Sequence, residues 1–461
     1  MGRGSADRAD GAWRSLKRYA DRHLRAPGES RVAVPVAEAP EQAWLRELAA
    51  LLCAVGVEML RAGTRTEAVA ADLGDIAARY GTRARSFVVP TGLFVRVGTD
   101  PDGAGAELDF APVSGPDLRL DQVQALQDLV ERMRAEEVPL KEAWAALERE
   151  RSLPQRFSPT ATVAGHTLLT VGLGVVLHAM LPAVVGYAVL GAAVGMLRLV
   201  AGRFLPAAAA VLPVAAAIMV TGLALSFAGP VLHESPSSLV IAPLIAFLPG
   251  AALTMGAIEL ATGDVLSGVA RLAGAANVLM LLALGILVGT EIVDPAPVGR
   301  PAPHTLGAWA GWSGVLLMAV GFTLFFSAPA RTLGWLAAAL LLVHLAQTVG
   351  TAVGGAAFGA FAAGMLLPPP ATWVARHRKV PDQVVFLPCF WLLVPGSSGL
   401  TGFSELLLKH TAQSLVTLVT TLVTVAAIAL GVLVGAGLQR RTRLEVAPAP
   451  DRPGRRARAQ S

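Results

Sequence analysis

Cysteine is almost missing from this chain: 461 residues hold two, Cys53 and Cys389, far apart in sequence. That excludes a disulfide framework and any thiolate metal site. Histidine is absent from residues 41–150, and no Gly-x-Ser-x-Gly or metal-ligand spacing occurs there. A hydrolase in that stretch, with Cys53, Ser86 or Thr91 as nucleophile, would have no imidazole to activate it. Charge is scarce across the body of the chain, where residues 161–438 carry seven of the 33 acidic residues and nine of the 38 Lys/Arg. A water-facing surface of that length needs more. Residues 1–40 lack the apolar core of a signal peptide, so the N-terminal part is expected to stay in the cytoplasm.

Apolar residues are what the chain has in excess: 54% of the sequence, with mean hydropathy +0.57. This composition is that of a membrane protein. The formal charge of +5 comes largely from arginines flanking apolar runs, so it does not call for nucleic acid.

Two short breaks organise those runs, Leu248-Pro249-Gly250 and Val394-Pro395-Gly396. Each falls near the middle of a stretch long enough to cross a bilayer, 238–258 and 384–404. Proline removes a backbone donor and clashes with the preceding turn, and glycine loosens the chain after it. In hydrocarbon, an interrupted helix is tolerated only where protein buries it or it lines a cavity. The breaks lie 395 − 249 = 146 positions apart, and Glu259 and Glu405 match at the same offset. So do the runs Leu284-Gly285-Ile286-Leu287-Val288-Gly289 and Leu430-Gly431-Val432-Leu433-Val434-Gly435. One proline kink is ordinary; a matched pair of interrupted spans in two halves points to a transporter's binding site.

The chain divides into a basic, disordered leader (1–40), a cytoplasmic α+β domain (41–158), two membrane modules (159–292 and 304–438) and a basic cytoplasmic tail (439–461). The leader has room for a short helix at 11–24. The α+β domain opens with a helix that Gly63 ends and a second at 66–80. Strands follow at 86–90, 93–97 and 108–113, and helices at 121–136 and 140–150 close it. Ten apolar spans come next, at 161–180, 183–200, 206–228, 238–258, 267–290, 306–327, 332–348, 351–369, 384–404 and 412–437. Arg198, Arg203, Arg331, Arg376, Arg378 and Lys379 fall in every second loop, which sets both termini inside. Five spans per half is an odd number, so the halves are inverted. The expected fold is an α-helical polytopic membrane protein: ten transmembrane helices in two inverted five-helix repeats, with a small α+β cytoplasmic N-terminal domain.

Leu60-Arg61-Ala62-Gly63-Thr64, the helix ending in Tyr80-Gly81, and Pro90-Thr91-Gly92 resemble the N-terminal part of the threonine/serine exporter family. Leu248-Pro249-Gly250 with Gly263-Asp264-Val265-Leu266-Ser267-Gly268-Val269-Ala270-Arg271 is similar to its first membrane module. The segment from Phe326-Ser327-Ala328-Pro329-Ala330-Arg331 onward resembles its second. The likeness spans residues 45–437. It implies multi-pass placement in the cell (plasma or inner) membrane and export of threonine, serine and similar small amino acids, driven by the proton motive force.

The residues supply candidate partners for a zwitterion. Half-helices starting after Pro249-Gly250 and Pro395-Gly396 offer unpaired N–H groups and a positive dipole end to a carboxylate. The carbonyls of Ile245 and Trp391, deprived of a donor by the prolines, are left for an ammonium group. Thr254, Ser397, Ser398 and Thr401 follow the breaks and can bond a substrate hydroxyl, although membrane Ser/Thr commonly bond their own helix. Asn277 falls near mid-membrane, where helix contact and ligand contact are equally open. Glu259 and Glu405 are the candidates for proton coupling. Asp264 and Arg271 border the cytoplasmic vestibule, with Arg271 snorkelling to the surface, and His166, His178 and His344 are assigned to helix packing. No cofactor or metal is called for. The expected partners are a small amino acid, protons and the lipid bilayer, and a homo-oligomer is compatible with the sequence. The rival is a membrane-anchored hydrolase whose active site lies in the α+β domain. In a third reading that domain gates the pore.

Overall fold

The computed structural model describes residues 40–99, 105–115, 117–204, 210–293, 305–378, 383–393 and 412–446. The predicted leader, the tail beyond 446 and the second break lie outside these residues. Helix α1, Pro40–Arg61, buries Leu48, Leu51, Leu52, Val55 and Met59 at three-to-four spacing. It ends at Gly63, whose φ of 82° is the left-handed conformation only glycine adopts cheaply. Gly63 N–H bonds Leu60 O and Thr64 N–H bonds Met59 O, the paired closure of a Schellman motif. Helix α2, Thr66–Arg79, follows.

Three strands come next, β1 (Arg83–Val89), β2 (Gly92–Gly98) and β3 (Glu107–Pro112), paired antiparallel in the order β1-β2-β3. Alternation sends Leu93, Val95 and Val97 of β2 inward, fully buried. A Cβ on Gly56 of α1 would stand 2.5 Å from Leu93 Cδ1, so the glycine is what lets helix and sheet close. Helices α3 (Leu120–Ala135) and α4 (Leu140–Arg151) complete this α+β region. The strands and helices predicted for this region all occur, with ends moved by no more than four residues.

Where α1, α3 and α4 meet, Glu58 accepts from Arg61 and from Arg151, the latter at 2.8 Å. Glu150 lies buried beside them, and neither carboxylate oxygen has a partner among the described residues. Burial and the neighbouring Glu58 charge push the Glu150 carboxyl up to about 7, against weaker pulls from Arg151, Arg61 and Arg119. A raised acid stabilises the folded state while it is neutral. Its contribution is complete below the ordinary glutamate range and is lost as pH rises through about 7. Amide exchange in α4, corrected for intrinsic rate, should therefore speed up between about pH 4.5 and 7 and level off above, and Glu150→Gln should flatten that dependence.

The apolar part begins with α5 (Pro159–Leu177), capped by the Ser158 hydroxyl accepting from Ala161 N–H. Then come α6 (Leu181–Phe204), α7 (Leu212–Phe227), a π-helical turn at Ala228–Leu232 and the short α8 (Pro236–Val240). After a 3-10 turn at Ala242–Phe247 come α9 (Gly250–Ala261), α10 (Val265–Ile292) and α11 (Ala310–Phe325). The remaining helices are α12 (Leu333–Leu366), α13 (Pro368–Arg378), α14 (Gln383–Leu393) and α15 (Ala412–Val446). Six helices among the described residues are long and apolar enough to cross a membrane, and the bent stretch of α8 to α9 makes a seventh. Helix α11, at 16 residues, is shorter.

Helix α12 is not one rod. Gly354 and Gly355 leave helical geometry, Gly355 with φ 81°, and the chain folds back there. A Cβ on Gly350 would meet Gly359 Cα at 2.8 Å, whereas nine residues of straight helix would separate them by about 13 Å. The predicted spans 332–348 and 351–369 are the two arms of this reversal.

Backbone-close glycine contacts hold the helices together. Gly165 and Gly172 of α5 meet Gly321 and Gly314 of α11, in that antiparallel order. Gly285 and Gly289 of α10 meet Val214, Ala217 and Thr221 of α7, while Gly431 and Gly435 of α15 meet Phe361 and Met365. The core between them is continuous and includes Leu169, Tyr187, Leu244, Leu279, Phe322 and Phe390.

Candidate functional site

The first break takes the form its sequence foretells. Residues 242–247 tighten to a 3-10 helix, Leu248 is extended (φ −68°, ψ 123°), and α9 starts afresh at Gly250. The segments on either side meet at 64°. The first hydrogen bond of α9 runs from Leu253 N–H to Pro249 O. The N–H groups of Gly250, Ala251 and Ala252 therefore project from the helix end with no turn before them to accept.

One expectation fails here. The carbonyl of Ile245 is not left free: Leu248 N–H donates to it at 3.1 Å. Proline forbids the i+4 donor of an α-helix, and the chain answers by winding one turn tighter and using the i+3 donor. The acceptor expected at Ile245 is therefore taken, and the first N–H groups of α9 are the donors that the break leaves without a helical partner.

Thr254, one turn into α9, is fully buried, and its hydroxyl has no partner among the described residues. Other membrane-helix hydroxyls behave differently: Thr170 donates to His166 O, Thr262 to Ile258 O and Thr323 to Ala319 O. Thr221 shares the unpaired state of Thr254 among the described residues, but stands away from the break. Gly256 of α9 packs on Gly268 and Leu272 of α10, an antiparallel register that brings Asn277 to the depth of the break. Asn277 is nonetheless exposed, on the α10 face that carries Ala273, Met280 and Leu284.

The approaches to the two breaks converge. Phe247, two residues before Pro249, and Phe325 of α11 are both stacked by the Arg198 guanidinium, at 4.9 and 5.2 Å. Phe325 continues to Phe326 at 4.8 Å, and Phe326 to Trp391 of α14 at 5.2 Å. Helix α9 packs directly on α14 and α15. The half-helix that leaves the first break thus lies beside the helix that leads toward the second. Pro395, Gly396, Ser397, Ser398, Thr401 and Glu405 themselves fall outside the described residues.

At the other end of α9 stands a polar lock. Gly263, with φ 91°, closes a second Schellman motif, Gly263 N–H to Leu260 O and Asp264 N–H to Glu259 O. That turn sets α10 against α9 so that Arg271 Nε reaches both oxygens of Glu259, at 3.1 and 2.9 Å. Glu259 is buried, and the Arg271 side chain is only 14% exposed. Arg271 does not snorkel; it is enclosed, and its second nitrogen donates to Thr64 O at 3.3 Å. Beside it the Thr66 hydroxyl donates to the Asp264 carboxylate. Burial pushes the Asp264 carboxyl up, but hydrogen bonds from Thr66 and Ser267, with the Arg271 charge, outweigh it and hold the group below the usual aspartate range. Two glycine-closed turns, one after α1 and one after α9, therefore dock against each other. A backbone bond from Leu120 N–H to Phe326 O makes a third tie between the α+β region and the membrane helices. Neither Glu259 nor Arg271 looked like half of a pair in sequence; the Gly263 turn between them was the signal.

The histidines keep to packing. His166 bonds Gly191 O, His344 stacks on Trp312, and His178 meets Glu234 at 3.2 Å. In the α+β region the Cys53 thiol is buried and pushed up to about 12, chiefly by desolvation, so it is no thiolate nucleophile. No group of three His, Cys, Asp or Glu that could hold a metal occurs among the described residues.

Apolar spans, one of them broken at mid-length beside the buried Thr254, define a polytopic helical membrane protein. A family model described as "Putative threonine/serine exporter" matches residues 50–293, and another, "Threonine/Serine exporter, ThrE", matches residues 313–436. The chain belongs to the threonine/serine exporter family, whose members are transporters of amino acids and not enzymes. No curated protein and no solved structure matches it.

Proposed function

We propose that this protein exports threonine, serine and similar small amino acids from the cytoplasm across the plasma membrane, in exchange for protons, with substrate held between the two broken helices. The observation that carries this reading is the first break, where three N–H groups without a helical acceptor and a Thr254 hydroxyl without a partner among the described residues stand within one turn of each other. A carboxylate fits the helix end and a substrate hydroxyl fits Thr254. Pro395, Gly396, Ser397, Ser398 and Thr401 supply the matching half of the site. Asn277 lines the aqueous path at the same depth.

The inverted-repeat architecture of ten spans belongs to the same proposal. Contacts in the two halves fall within one or two residues of the 146-residue offset: Gly285 lies against Val214 and Ala217, and its counterpart Gly431 against Phe361 and Met365, whose counterparts are Ala215 and Met219. The first helices of the halves, α5 and α11, cross antiparallel, as an in-plane axis requires. Glu259 and Glu405 are the proton carriers in this scheme, with both termini cytoplasmic. A proton on Glu259 loosens its hold on Arg271, and through Thr64 frees the turn of the α+β region. That region then acts as the cytoplasmic gate.

Thr254→Val tests the site. It removes an unpaired buried hydroxyl and keeps the shape, so stability should hold or rise. Counterflow of labelled threonine in proteoliposomes should weaken about tenfold in apparent affinity, the loss of one hydrogen bond, and the preference for threonine over valine should shrink. Unchanged affinity and unchanged preference would remove Thr254 from the site.

A further inference from the structure

The outward face of the three-stranded sheet is apolar where a water-facing sheet is ordinarily polar. Phe87, Phe94 and Phe110 stand opposite one another in register across β1, β2 and β3, with exposures of 58%, 43% and 52%. Phe94 stacks on Phe110 with ring centroids 4.5 Å apart. The next rung on the same face is Arg85, Arg96 and Leu108, and the one beyond it carries Arg83. None of the outward positions of the three strands is acidic.

The rungs have an order relative to the membrane helices. The Thr91 turn receives Val113 N–H, and the chain leaving β3 reaches Leu118, bonded to Arg61 O, and then Leu120, bonded to Phe326 O at the end of α11. Gly115 lies against the Arg61 guanidinium, three residues before the Thr64 carbonyl that holds Arg271. The Thr91 and Pro112 end of the sheet is therefore the end next to the apolar helices. From that end the outward rungs run Val89–Gly92–Pro112, then the phenylalanines, then the two arginine rungs, each about 7 Å further out. Residues 152–158 alone connect α4 to α5, a reach of about 25 Å.

We propose that this face of the sheet docks on the anionic headgroups of the adjacent bilayer leaflet, with the phenylalanines at the acyl boundary and Arg83, Arg85 and Arg96 on the phosphates. Aromatics deep and arginines shallow is the order in which an interface accepts those side chains. Charge selects the occupant. A second copy of the face would bring arginine rows together, whereas an anionic surface complements them. Docking would brace the α+β region through the same end that carries Thr64 and Thr66.

The test uses the full chain in nanodiscs with a spin label at Phe110→Cys, Cys53 and Cys389 being buried. In discs with one third phosphatidylglycerol, the label should be shielded from a water-soluble relaxant and open to oxygen. In pure phosphatidylcholine, or at 1 M salt, it should return to water. Reversing all three arginines to glutamate should shift the docking equilibrium by about a hundredfold or more. A label equally wet in both lipids overturns the proposal, and so does one equally immersed in both. Label-to-label dipolar broadening would assign the face to a second copy instead. The lipid and salt comparisons use the same folded protein, so they decide the matter even if the triple variant does not fold.

Discussion

Replacing Arg271 by alanine should cost about 3–5 kcal/mol, the largest loss expected of any single change in the membrane helices. Glu259 is 2% exposed, and Arg271 Nε is the partner of both its oxygens. Without it a buried carboxylate keeps only the Thr66 backbone N–H to offset its desolvation. The lost guanidinium also releases Thr64 O, so the damage should reach the α+β region. Thermal unfolding in detergent would show the lowered midpoint, and amide exchange should rise around residues 63–66. Glu259→Gln on the Arg271→Ala background should restore much of the midpoint, because a neutral amide is far cheaper to bury. Arg271→Lys keeps the charge but not the fork, and should fall between. A single variant as stable as the parent would mean that the lock carries no weight.

That lock also marks where sequence reading reached its limit. The first break was legible because proline and glycine act on their own backbone, whatever surrounds them. The strands and amphipathic helices were legible for the same reason: Leu48, Leu51, Leu52 and Val55 announce a buried face locally. The two arms of α12 were legible as separate apolar runs, each about the length of one crossing. The Glu259–Arg271 pair needed one further step, reading Gly263 as a left-handed turn that folds α10 back along α9. Considered helix by helix, an arginine near a membrane surface reads as a snorkelling side chain. The contacts of Thr64 and Thr66 with Arg271 and Asp264 join residues some two hundred positions apart. No local pattern encodes such contacts. The Ile245 carbonyl was misjudged because a helix approaching proline was taken to stay α-helical, when a 3-10 turn re-pairs that carbonyl at no cost in length.

Pro249→Ala should all but abolish transport while leaving the protein at least as stable. Alanine restores a backbone donor at 249 and removes the ring that clashes with the previous turn. The segment can then run on as one α-helix, with residues 248 and 249 donating to Leu244 O and Ile245 O. In that helix Gly250, Ala251 and Ala252 donate to Ala246, Phe247 and Leu248. All three groups that the break presents to a carboxylate are thereby consumed, and the 64° bend that sets α9 beside α14 straightens. Proline in a helix interior costs about 3 kcal/mol relative to alanine, so the variant's melting midpoint should hold or rise. Binding of labelled threonine to the purified protein should weaken at least tenfold, about 1.4 kcal/mol, and export should fall with it. Gains in stability and losses in binding from one substitution are the mark of a site built on unpaired backbone. A damaged fold would lose both. If Pro249→Ala binds and exports like the parent, the break is a kink, and the substrate lies elsewhere along α9 and α10.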